Sequence, residues 1–133
     1  MSRLTLAAAL GFAAALPALA QDIDCDNAMA QSELTQCAYE EWQAQDAALN
    51  AHWADAMAVM QAIDADLPED ERGAADLLRK GQKAWISFRD DACAAEGYVM
   101  HGGSAEPMLV YGCMARLTEA RAEDLRLIAE TGY

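Results

Sequence analysis

Ala84-Trp85-Ile86-Ser87-Phe88-Arg89-Asp90-Asp91-Ala92-Cys93 is the stretch on which the fold turns. Wound as a helix, it places Trp85, Phe88, Ala92 and Cys93 close to one face, with Arg89, Asp90 and Asp91 beside that face. An indole and a phenyl ring one turn apart can fill the centre of a small helical core. The cysteine then lets the helix be bolted to whatever follows it. No catalytic arrangement stands out in these ten residues. Adjacent carboxylates on a helix point about 100° apart, so Asp90 and Asp91 are not the paired acid and base of a glycosidase. The charges are read instead as a structural ion-pair set: Arg89 with a carboxylate of another helix, or Arg121 with Asp90.

Reading outward, the apolar positions of this helix are Leu77, Leu78, Gly81, Trp85, Phe88, Ala92 and Ala95, and Gly97 ends it. Upstream, Leu67-Pro68-Glu69-Asp70-Glu71-Arg72-Gly73 interrupts the periodicity, and its acidic run suits a helix N-terminus. Before that interruption, from about Thr35 to Asp66, there is neither Gly nor Pro. Leu34, Ala38, Trp42, Leu49, Trp53, Met57 (or Ala56), Met60, Ile63 and Leu67 recur at three-and-four spacing, which predicts one long amphipathic helix capped by Ser32 or Thr35. Downstream, Tyr98 to Pro107 reads as a loop with turn freedom at Gly102-Gly103. A third helix follows from about Pro107 to Ala129, striped by Val110, Met114 (or Tyr111), Leu117, Arg121, Leu125 and Ile128, with Thr131-Gly132-Tyr133 fraying off its end. No strand pattern or repeat interrupts the scheme. The fold class is all-α: a small antiparallel bundle of three main helices running up, down and up, with one turn over Asn27–Ala30 as a short fourth. Its expected core is Trp42, Leu49, Trp53, Trp85, Phe88, Leu117 and Leu125.

The first twenty residues belong to a different class of segment. Arg3 precedes an apolar run from Leu4 to Leu16, and Ala18-Leu19-Ala20 is the small-x-small pattern of a signal-peptidase site. Residues 1–20 are therefore read as a cleaved leader and 21–133 as one domain, exported to the periplasm or beyond and not inserted in a membrane. The leader takes one of the 9 basic residues and none of the 22 acidic ones, leaving a net charge of −14. That balance repels nucleic acid and anionic membrane surfaces and attracts cationic proteins. Four cysteines remain, Cys25, Cys37, Cys93 and Cys113. In an oxidising compartment an even count reads as two disulfides, and three pairings exist. Cys93 near the end of the second helix and Cys113 near the start of the third favour Cys93–Cys113 with Cys25–Cys37; crossed pairings would tie the N-terminal arm to the later helices.

Other motifs reduce to structure. No C-x-x-C and no H-x-x-x-H pair is present, which argues against a thioredoxin-like role and a zinc site. His52 with Met57 and Met60, or His101 with Met100, could in principle hold a soft metal, but core methionine with a rim histidine is the simpler reading. Ser87, Ser104 and Thr118 have no histidine in a triad context. Neither metal nor cofactor is expected, nor enzymatic activity.

Taken together, the residues have a familiar order. A leader precedes Cys25, Cys37 and Tyr39, then Asp46-x-x-Leu49-Asn50. Gln82-x-x-Trp85-x-x-Phe88-Arg89-Asp90-x-x-Cys93 follows, then Gly102-Gly103-Ser104 and Cys113-x-x-x-Leu117-Thr118-x-x-Arg121-x-x-x-Leu125. The chain resembles the LprI-like lysozyme-inhibitor family of bacterial envelope proteins over nearly its whole mature length. Trp53 stands where a tyrosine is more usual in that family. The resemblance implies an exported, all-helical, disulfide-bonded domain named for a member that inhibits lysozyme. The expected partner is a cationic lysozyme or another basic envelope protein. The expected contact is the glycine loop at His101, Gly102, Gly103 and Ser104, the longest connection between helices.

Overall fold

The computed structural model describes residues 23–130. Three helices carry the fold: α1 (Gln31–Asp66), α2 (Ala74–Gly97) and α3 (Glu106–Glu130). Single 3₁₀ turns at Glu69–Glu71 and Tyr98–Met100 lie in the two connections. Among the described residues there is no strand. Residues 1–22, with the expected leader and its cleavage site, and Thr131–Tyr133 lie outside the described residues.

α1 starts earlier than its apolar periodicity suggests, because its cap comes from within. Glu33 Oε2 accepts the backbone N–H groups of Met29 at 3.2 Å and Ala30 at 3.1 Å, so neither Ser32 nor Thr35 is needed as a cap. The Thr35 hydroxyl donates instead to the Gln31 carbonyl inside the helix. The expected helical turn over Asn27–Ala30 does not form. Asp24 organises that segment, accepting the Asn27 backbone N–H at 3.2 Å on its carbonyl and the Asn27 side-chain amide at 2.8 Å on its carboxylate.

The α1–α2 connection is closed by one carboxylate. Asp64, in the last turn of α1, accepts the N–H groups of Gly73 (2.8 Å), Ala74 (2.8 Å) and Ala75 (3.0 Å) at the start of α2. These donors have no partner inside α2, and an anion is favoured at a helix N-terminus. The same bonds, Gly73 first and then Ala75 and Ala74, hold the Asp64 carboxyl below the ordinary aspartate value.

α2 runs back along α1, and α3 returns parallel to α1. Gln31 reaches Met108 near the starts of α1 and α3, and Trp42 stacks on Tyr111 with ring centres 5.8 Å apart. The α1–α3 contact is the most extensive in the molecule; α2 packs chiefly on α3 and touches α1 least. The core joins Leu49, Ala56 and Met57 of α1 with Ala75 and Leu78 of α2 and Ala122 and Leu125 of α3, while Trp53, Met60, Trp85 and Ile128 pack at its edge. The cysteines pair locally as expected, Cys25 with Cys37 and Cys93 with Cys113. On the chain-entropy model each such loop restrains the unfolded state by about 3 kcal/mol.

The inward face of α2 differs from the expected one. Phe88, expected in the core, is 60% exposed, and Leu77 is 70% exposed. The buried positions are Ala75, Leu78, Gln82, Arg89, Cys93 and Gly97, with Trp85 half-buried among them. Two polar side chains thus lie where an apolar stripe was drawn. Of the other expected core residues, Leu49 and Leu125 are buried, and Trp42, Trp53 and Leu117 are half-buried. Gly97 also has a role other than stopping a helix. Its backbone is helical (φ −60°, ψ −30°), and the chain continues into the 3₁₀ turn. A Cβ here would come within 2.5 Å of Val110 Cγ2, so glycine is needed for the close approach of α2 to α3.

Candidate functional site

Two surfaces stand out, one at the end of the bundle and one along its side. The end surface is the α2–α3 connection. The Cys93–Cys113 disulfide ties the helices together just beneath it. Glu106, opening α3, then clamps the turn: Glu106 Oε2 accepts the Gly102 N–H at 2.7 Å, and its Oε1 lies 3.1 Å from His101 Nδ1. The Gly102 bond, then the His101 bond, hold the Glu106 carboxyl below the usual glutamate value. Gly102 sits at φ +75°, where glycine is favoured, and the Gly103 N–H donates to the Met100 carbonyl at 2.8 Å. His101 stacks flat on Tyr98 at 4.3 Å.

The four residues expected to meet a partner, His101, Gly102, Gly103 and Ser104, are all exposed. The sequence reading underrated the residues just before them. Tyr98, Val99 and Met100 are 64%, 78% and 47% exposed, a run of three large apolar side chains held outward by a braced turn. Their signal was available: three bulky apolar residues directly after the end of an amphipathic helix, outside its stripe.

The side surface is a groove of about 320 Å³ between α1 and α2, left open because these two helices touch least. Arg89 anchors one end. Its guanidinium lies 5.1 Å from the centre of the Trp85 ring and 5.8 Å from that of Trp42. Its Nε and Nη2 donate to Asp90 Oδ1 at 2.9 and 2.8 Å, and its Nη1 lies 3.7 Å from Asp46 Oδ1 on α1. Arg121 does not meet Asp90. Its Nε donates to Gln82 Oε1 at 2.9 Å and its Nη1 lies 3.7 Å from Asp124 Oδ2, because the inward position of Gln82 offers a nearer acceptor from α2. Of the methionines considered as metal ligands, Met57 is buried in the core and Met60 packs against it, while Met100 is exposed on the turn.

The charge is unevenly distributed. α1 contains no Lys or Arg in its 36 residues, while Arg79, Lys80, Lys83 and Arg89 all lie on α2. Exposed Glu40, Glu41, Asp55 and Asp66 on α1 continue into exposed Glu69, Asp70 and Glu71. One flank of the bundle is therefore almost purely acidic.

A family model described as "Lysozyme inhibitor LprI" matches residues 25–125. The chain belongs to the LprI family. It is 42% identical over 120 residues to an uncharacterised protein of Rhizobium meliloti (strain 1021), covering 86% of each chain. Its fold is similar to the crystal structure of a DUF1311 family protein from Pseudomonas putida KT2440. The TM-score is 0.63 at 23% identity, with 74% of this chain and 93% of that one covered. Asp46, Leu49, Asn50, Gln82, Trp85 and Arg89, which carry the LprI resemblance in the sequence, converge on the groove in space. The glycine turn that shares in the resemblance sits beyond it, with seven residues of α2 between Arg89 and Gly97, about 12 Å of rise from one to the other.

Proposed function

We propose that this protein is exported by cleavage of residues 1–20 and that residues 21–133 act as a binder, not an enzyme, inhibiting a cationic lysozyme in the periplasm or outside the cell. The observation that carries this reading is the braced α2–α3 turn with Tyr98, Val99 and Met100 exposed on it. Exposed aromatic and methionine side chains on a pre-ordered turn are the kind of group that anchors protein interfaces, because little freedom is lost on binding. His101, Gly102, Gly103 and Ser104 complete the projecting surface. Family membership supports lysozyme as the target. The acidic flank supports attraction to a basic one, with nucleic acid repelled. Two disulfides suit an oxidising compartment. No helix of the described residues is long and apolar enough to cross a membrane.

The test is a cell-wall turbidity assay with a cationic lysozyme and the purified, oxidised protein. Wild type slows clearing. Tyr98→Ala weakens inhibition by about 30-fold, the loss expected for an interface anchor. Association slows steeply as salt rises, while dissociation changes little. Full lysozyme activity at micromolar wild-type protein would remove lysozyme as the target; capture of another basic envelope protein through the same turn would then name the partner.

A further inference from the structure

We propose that the groove between α1 and α2 is a binding site for a small organic carboxylate with a flat apolar body. Its lining combines two chemistries. Leu49, Trp53, Trp85 and Ile86 supply an apolar, largely aromatic wall. Lys83, Arg89 and Gln82 supply hydrogen-bond donors, and Arg79, whose guanidinium already donates to Asp76, completes the rim. The volume, about 320 Å³, lies at the lower end of the range that small-molecule sites occupy.

The donors are what point to an anion. Gln82 is only 7% exposed and Arg89 only 8%. Gln82 Oε1 is occupied by Arg121, but among the described residues its amide nitrogen donates to nothing. Arg89 spends Nε and Nη2 on Asp90, yet the distance from its Nη1 to Asp46, 3.7 Å, is too long for a hydrogen bond. Lys83 has no ion-pair partner among the described residues. Neither the Gln82 amide nor Arg89 Nη1 is sealed from solvent, so in the open groove water meets them, and a ligand that displaces that water must bring an acceptor of its own. The single carboxylate in the lining, Asp46, faces Arg89 and already accepts the Asn50 amide at 3.0 Å. Of the three cations in the lining, Arg79 pairs with Asp76 and Arg89 with Asp90, which leaves Lys83 as the one without a carboxylate partner among the described residues. A cationic ligand would meet Lys83 and would find the lining's one carboxylate, Asp46, already engaged by Arg89 and Asn50. An uncharged apolar ligand would leave the spare donors dry and unpaired. A carboxylate satisfies them by charge-assisted hydrogen bonds while its ring packs on the indoles.

The experiment uses the oxidised, ¹⁵N-labelled protein and two probes of equal shape, naphthalene-2-carboxylate and its uncharged carboxamide. The expected result is saturable shifts of the Trp53 and Trp85 indole N–H signals and the Gln82 side-chain amide with the carboxylate, and at least about tenfold weaker binding of the carboxamide. Lys83→Glu should weaken carboxylate binding by about tenfold or more. Lys80→Glu, which changes the net charge equally on the same helix but lies outside the lining, should change it by less than about twofold. Both lysines are exposed, and an unchanged spectrum of the free protein certifies the fold of each variant. Equal binding of the two probes would overturn the proposal, as would equal effects of the two charge reversals. Absence of saturable shifts at about 10 mM carboxylate would overturn it too.

Discussion

Replacing Arg89 tests the least expected feature of the core, a guanidinium lodged against two indoles. In Arg89→Ala three losses add. Contacts to Trp85 and Trp42, at 5.1 and 5.8 Å, are worth about 1–2 kcal/mol together. The Asp90 bonds add only about 0.5 kcal/mol, because that carboxylate side chain is 51% exposed and well screened. The buried aliphatic stem adds about 1–2 kcal/mol more. Asp46 and Asp90 both keep contact with water, so removing their partner strands no deeply buried charge. The expected total is about 3 kcal/mol. Arg89→Met keeps most of the stem and should lose about half as much. Urea unfolding of the oxidised protein, followed by tryptophan emission, measures both. A cost under about 1 kcal/mol for Arg89→Ala would refute the stacked geometry. An equal cost for Met and Ala would refute the claim that the stem contributes by packing.

Leu125→Ala, at a position with no exposure, should cost about 3 kcal/mol or more, whereas Phe88→Ala on the outer face of α2 should cost less than about 1 kcal/mol; chemical denaturation ranks them. Gly97→Ala should destabilise by about 1–2 kcal/mol despite the better helix propensity of alanine, and Val110→Ala in the same chain should recover part of that loss, read as a double-mutant cycle. Thr118 is wholly buried and its hydroxyl has no partner among the described residues, so Thr118→Val should raise stability by about 1 kcal/mol in the same denaturation assay. Asp64 has a depressed carboxyl value when folded, so its contribution is complete above the ordinary aspartate range and disappears as pH falls through the folded value. The difference in melting temperature between wild type and Asp64→Asn should therefore be full at pH 7 and shrink once the pH falls below the ordinary aspartate value.

The helices were legible because their periodicity, glycines and proline agree: α2 ends at the residue where its pattern stops, and Pro68 falls between helices. The local disulfides were legible from the same boundaries. The rotation of α2 was not. Hydropathy draws its stripe through Leu77 and Phe88, and no hydropathy rule places an arginine and a glutamine inside. Cys93 held the missing phase. It must face Cys113, and counting back four, eleven, fifteen and eighteen residues lands on Arg89, Gln82, Leu78 and Ala75, all near one face at 3.6 residues per turn. Of the candidate surfaces, the turn could be found as a connection, but its outward apolar run had to be seen against the clamp by Glu106. The groove could not be found, because it exists only through the poor contact of α1 with α2, a property of three helices together.

The parallel pairing of α1 with α3 sets an order of events for the chain. The residues that join them, Gln31 with Met108 and Tyr39 with Tyr111, are some seventy positions apart in sequence. The α2–α3 corner and the Cys25–Cys37 bridge close loops of 20 and 12 positions. Closing the long loop costs more entropy, and the short ones can form first. A chain made from its N-terminus therefore presents α1, with Leu49, Trp53, Ala56 and Met57 uncovered, well before α3 exists to cover it. For that interval the helix must stay soluble alone. Its many acidic side chains, undiluted by a single Lys or Arg, supply the mutual repulsion between copies that keeps it so.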